Sequence, residues 1–203
     1  MNLQALIDTI FEDLDARVNS VAFDAQGDLL LKIAYDDVVL PDGGKRCVEL
    51  KCVRPKEFTV VPGFIGTIAQ FDEHALLANH RGPQSQLFFS SAPGSPEQVF
   101  YLSHAVLRSQ FGGWRDPATY LNGTPDELRT NLAAGYGLLA RGPCAAMAAL
   151  AAALGSLLSV RTIDSHELYS TVMALTFDEQ FVVCESAEVL QGDGQSAAGA
   201  DDT

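Results

Sequence analysis

Cys144 is the residue whose position best suits nucleophilic chemistry. It follows Gly142-Pro143, which ends one helical pattern and starts another, so it stands at an expected helix N-terminus where the macrodipole favours a thiolate, with Arg141 three residues before it. A thiol nucleophile also needs a base, and His104 and His166 are the histidines that could serve if the fold brings one within hydrogen-bond reach. That arrangement would define a hydrolase or transferase of a type no local motif specifies. A buried structural cysteine among small alanines is the competing reading of the same residue.

Other chemistry-bearing residues are less convergent. Asp72-Glu73-His74 and His80 bring two carboxylates and two imidazoles close in sequence, but a six-residue step is about 600° of helical rotation, so no metal site is expected. Cys47, Cys52, Cys144 and Cys184 lack the paired spacing of a structural zinc site and are too scattered for a disulfide scaffold. Cys47 and Cys52 fall on opposite faces of an extended segment, and all four are expected to be reduced. Arg108, Trp114, Arg115 and Arg141 form a candidate anion pocket, with ion pairing to the many carboxylates as the alternative. Gly135-Tyr136-Gly137 lacks the third glycine of a dinucleotide fingerprint and lies in a helical pattern, so it reads as close helix packing and no cofactor is expected. Neither a phosphate-binding Gly-Lys-Ser/Thr loop nor a Gly-x-Ser-x-Gly elbow is present.

The elements that must position these residues begin with an amphipathic pattern. Leu3, Leu6, Ile7, Ile10, Phe11, Leu14 and Val18 recur at three and four residues, which predicts a helix from 2 to about 18. Residues 20–61 then alternate as a three- or four-stranded antiparallel meander, with turns at Ala25–Asp28 and Pro41–Gly44. The middle carries glycines and prolines at loop density, with a short helix at 72–79 and a short strand at 86–90, and 97–111 is ambiguous between helix and strand. Thr124-Pro125-Asp126-Glu127 has the residues of a capping box and starts a helix whose buried stripe is Leu128, Leu132, Gly135 or Tyr136, and Leu139. A second helix, Cys144 to Leu154, would complete a helical hairpin, its alanines allowing close approach on several sides. Strands are expected at 157–163, 168–177 and 181–184, separated by Asp164-Ser165 and Asp178-Glu179, and a disordered tail at 191–203.

Together these predict one α+β domain over 1–190: an antiparallel sheet with the N-terminal amphipathic helix and a C-terminal helical hairpin packed on it. Two subdomains split between about 112 and 123 are the alternative.

Charge narrows the partners. The 203 residues carry 26 acids and 13 bases, a net charge of −13, which disfavours nucleic acid and anionic membrane surfaces. No run approaches the ~18 apolar residues of a membrane span, and Asp8, Glu12 and Asp13 interrupt any signal-peptide core, so a cytoplasmic location is expected. Residues 54–161 hold seven acids and eight bases, whereas 162–203 hold nine acids and no lysine or arginine. The carboxylates could be solvating charge, or a face that docks a basic protein through Asp36, Asp37, Asp42, Asp178, Glu179, Glu185 and Glu188. In composition alone the chain resembles bacterial adaptor or toxin-neutralising, immunity-type proteins. A non-enzymatic protein-binding module is therefore the first expectation and a Cys144 enzyme the second. A homo-oligomer paired through an apolar edge strand such as 168–177 stays open.

Overall fold

The computed structural model describes residues 1–12, 16–36 and 44–190; Asp37, Asp42, most of the 41–44 hairpin and the 191–203 tail lie outside the described residues. The fold is α+β, with mixed helices and antiparallel sheets. The chain divides into two compact units: Met1–Glu73 with Val172–Thr203, called here the split unit, and His74–Thr171, the inserted unit. The 112–123 loop lies within the inserted unit.

In the split unit, helix α1 (Leu3–Glu12) buries Leu6 and Ile10, one turn apart, and the Asn2 side chain caps it by accepting from Ala5 N at 2.8 Å. The helix pattern was expected to reach Val18. Instead strand β1 (Arg17–Phe23) has already begun, because Val18-Asn19-Ser20-Val21 combines β-branched residues with side chains that compete for the backbone. Strand β2 (Leu29–Asp36) alternates cleanly, with Leu29, Leu31, Ile33 and Tyr35 inward, and pairs with β3 (Lys45–Val53). Short strands β4 (Glu57–Phe58), β5 (Gly63–Phe64) and β6 (Ile68–Phe71) follow.

The β1–β2 turn is tied down by charge. Asp24 Oδ1 accepts from Gln26 N and Asp28 N, and Lys51 Nζ from β3 lies 2.9 Å from Asp24 and 3.0 Å from Asp28. Asp24 is held below the ordinary carboxylate range chiefly by the Lys51 hydrogen bond, and Asp28 chiefly by the Arg54 backbone N–H it accepts.

The inserted unit starts after strand β6. Strand β7 (Arg81–Phe89) leads to helix α2 (Pro96–Phe111), which settles the ambiguous segment as helix: Ser95 caps it, Pro96 opens it, and Val99, Ser103, Leu107 and Phe111 repeat inward every fourth residue. Helix α3 (Pro125–Ala134) carries the expected capping box, with Thr124 Oγ1 accepting from Glu127 N at 3.3 Å and Glu127 Oε2 accepting from Thr124 N at 2.7 Å.

The helical hairpin is not formed. Helix α3 stops at Ala134 because Gly135 takes the left-handed conformation (φ 81°), and the chain returns as strand β8 (Gly137–Pro143), which buries Leu139 and Ala140. Helix α4 (Cys144–Leu154) follows directly, and its small side chains let it touch α2, β7, β8 and strand β9 (Val160–Tyr169). The sheet order is β8-β7-β9, all antiparallel. Asp164-Ser165 does not interrupt β9 but falls at a bulge opposite Gln84 and Ser85, bridged by Ser165 Oγ donating to Gln84 O at 3.1 Å.

The chain then re-enters the split unit as β10 (Met173–Phe177), β11 (Gln180–Cys184) and β12 (Ser186–Leu190), the last not expected from sequence. Two antiparallel sheets result, β12-β3-β2-β1-β5 and β4-β11-β10-β6, and one core joins Leu6 and Ile10 of α1 to Leu31, Ile33, Leu175, Phe177 and Val182. All four cysteines are free thiols, Cys47 exposed and Cys52 and Cys184 buried in this core. No helix among the described residues is long and apolar enough to cross a membrane.

Candidate functional site

Cys144 is the first residue of α4, partly buried, and Pro143 provides no side-chain cap. Its position depends on Gly142, where a Cβ would fall 2.9 Å from the Tyr120 ring. The Cys144 thiol donates to Asp164 Oδ1 at 3.5 Å. The thiol's hydrogen-bond partner is thus a carboxylate and neither of the two candidate histidines. His166 Nδ1 lies 3.0 Å from Ser165 Oγ, whose hydroxyl also reaches Gln84 O at 3.1 Å. His104 is exposed on α2.

The arginine and tryptophan set is likewise dispersed. Arg108 is exposed in the last turn of α2 and Arg141 is exposed on β8. Arg115 is only 8% exposed and acts as a strut, its Nη2 donating to Leu76 O at 2.9 Å and Nη1 to Tyr120 Oη at 3.3 Å, with His80 Nε2 at 3.5 Å. Trp114 packs edge-on against His74, centroids 5.4 Å apart. His74 Nδ1 caps the 3₁₀ turn Ala75–Asn79 by accepting from Leu76 N at 3.2 Å. Burial, then the Arg115 charge, lowers the His74 pKa, which suits the neutral form that this cap requires. Among the described residues no three His, Cys, Asp or Glu side chains gather as metal ligands.

The candidate docking carboxylates are spread over several elements. Asp178, at φ 54°, accepts from Gly66 N at 2.7 Å and from Thr67 N and Oγ1. Glu185 bridges Arg54 and Lys56, each at 2.8 Å, and the Lys56 hydrogen bond is the main reason its pKa is lowered. Glu179 is exposed between β10 and β11. Glu188 is exposed opposite Lys51, whereas Asp36 lies opposite Lys45, about 20 Å away along β3 at ~3.3 Å per residue.

A different set of residues in the split unit remains open to solvent. Phe23 is 55% exposed, Phe58 40%, Val61 56% and Phe64 65%. Phe23 and Phe58 touch edge to face, centroids 5.6 Å apart, and the Arg17 guanidinium sits 4.2 Å over the Phe64 ring. Sequence reasoning passed over them. The available signal was Val61-Pro62-Gly63-Phe64, where large apolar residues occur in a turn-like stretch with no helix or strand period to bury them.

No family model, curated protein or solved structure matches this chain.

Proposed function

We propose that the chain is a non-enzymatic protein-binding module that makes contact through the exposed apolar residues of its split unit. The observation that carries this reading is the Phe23–Phe58 pair, two aromatic rings packed on each other yet 55% and 40% exposed, in a unit where Leu6, Ile10, Tyr35, Phe177 and their neighbours fill a continuous core. Exposed aromatic surface of this kind is the usual anchor of an interface. The net charge of −13 would act at longer range, steering a partner of opposite net charge, with half-buried Asp36 and exposed Glu179 and Glu188 contributing to the field. Such a module would serve as an adaptor or as a neutralising, immunity-type protein in the cytoplasm. The nucleophile reading lacks comparable support, because the Cys144 thiol meets a carboxylate.

The test is affinity capture of the tagged protein from its native lysate at low and high salt, in parallel with a Phe23→Ser/Phe58→Ser variant of unchanged circular dichroism. A partner retained by the parent, weakened by salt and lost by the variant is the expected result. Equal retention by both proteins would contradict the assignment of the surface.

A further inference from the structure

We propose that the cavity between Arg17, Lys45 and Phe64 receives an acidic side chain from an extended segment of the bound protein; this rests on the protein-binding reading above. Strand pairing builds the site. Phe64, Arg17, Ala34 and Cys47 are successive partners across β5, β1, β2 and β3, so they share one face of the sheet, and Asp36 and Lys45 face each other two residues further along it. The other face carries Val18, Ile33 and Tyr35 into the core. Ala34 is small, and the gap above it is a cavity of about 190 Å³ lined by Arg17, Ala34, Tyr35, Asp36, Lys45 and Phe64.

Size and charge together select the ligand. Small-molecule pockets run to roughly 300–1,000 Å³, so this cavity suits a single side chain and not a whole cofactor. The Arg17 and Lys45 side chains make no ion pair or hydrogen bond with any described residue, and the Arg17 guanidinium stacks on Phe64. With Asp36 beside them, the described lining residues carry one net positive charge on a chain of net −13. A carboxylate entering here would accept paired N–H bonds from the guanidinium on one side and the ammonium on the other. A polyphosphate offers similar oxygens, but the whole chain repels it. Strand β5 is the edge of its sheet, so an extended segment pairing along it would send alternate side chains onto this face.

The test uses ¹⁵N-labelled full-length protein titrated with acetyl-Val-Glu-Val-amide and with acetyl-Val-Gln-Val-amide. Saturable shifts at the Phe64, Ala34 and Lys45 amides are expected with the glutamate peptide, at least fivefold weaker with the glutamine peptide and in Arg17→Gln and Lys45→Gln variants. Equal titration by the two peptides, or no shifts at these amides, would overturn the carboxylate site. A captured partner that depends on Phe23 and Phe58 but is indifferent to Arg17→Gln/Lys45→Gln would also overturn it, while leaving the protein-binding reading intact.

Discussion

Two arginines beside aromatic rings, one in each unit, have opposite fates. Arg115 of the inserted unit is buried, and its guanidinium is committed to the Leu76 carbonyl and the Tyr120 hydroxyl. Arg17 of the split unit is exposed, rests on the Phe64 ring, and its guanidinium has no hydrogen-bond partner among the described residues. The residue type is the same in both, and each has an aromatic side chain beside it, Tyr120 for Arg115 and Phe64 for Arg17. What distinguishes a structural cation from a binding cation is whether the chain's own acceptors reach it, and that is decided by contacts distant in sequence.

Substitution should separate the two sharply. Replacing Arg115 with Met leaves the Leu76 carbonyl without its charged donor, and a loss of about 2–3 kcal/mol is expected in urea unfolding. Arg17→Gln should change stability by less than about 0.5 kcal/mol, since it alters only an exposed side chain. Comparable losses at both positions would erase the distinction.

The inserted unit should also be sensitive next to Arg115. A Cβ at Gly142 would meet the Tyr120 ring, which is stacked on Phe111 with centroids 4.3 Å apart and cannot easily yield, so Gly142→Ala should cost about 1–2 kcal/mol by thermal melt.

The units should differ in their response to pH. His74 has a lowered pKa, so its contribution is present above its unfolded value of about 6.5 and is lost as pH falls below it. Asp24 and Asp28 are also lowered, so their contribution is full above about pH 4 and is lost on further acidification. Urea melts across this range should show both losses, with His74→Asn, which retains a capping acceptor, reducing the first and Lys51→Met the second. A profile unchanged by either substitution would contradict these assignments.

Much of the local structure was legible in the sequence because its causes are local. The α3 capping box, the alternation of β2 and the α4 helix each follow from residues within a turn or a strand length. The missed strand β8 shows the limit of helical periodicity: Leu128, Leu132 and Leu139 keep helical spacing, but Gly135 had already ended the helix. The insertion of one unit into the other leaves no linker signature, since neither Glu73-His74 nor Thr171-Val172 is glycine- or proline-rich. At the sites, composition identified charged residues without their partners. Asp178 and Glu185 are engaged within the split unit, Arg115 is held by a carbonyl and a hydroxyl, and Arg17 depends on a ring brought in by β5.

The most direct test of the central claim is site-specific photo-crosslinking in the native cell, with a benzophenone amino acid placed at Phe58 of the split unit or at Tyr101 of the inserted unit, 40% and 74% exposed. A discrete protein adduct from position 58, absent from position 101, is the predicted result. An adduct from position 101 and none from position 58 would contradict the assignment of the contact surface to the split unit.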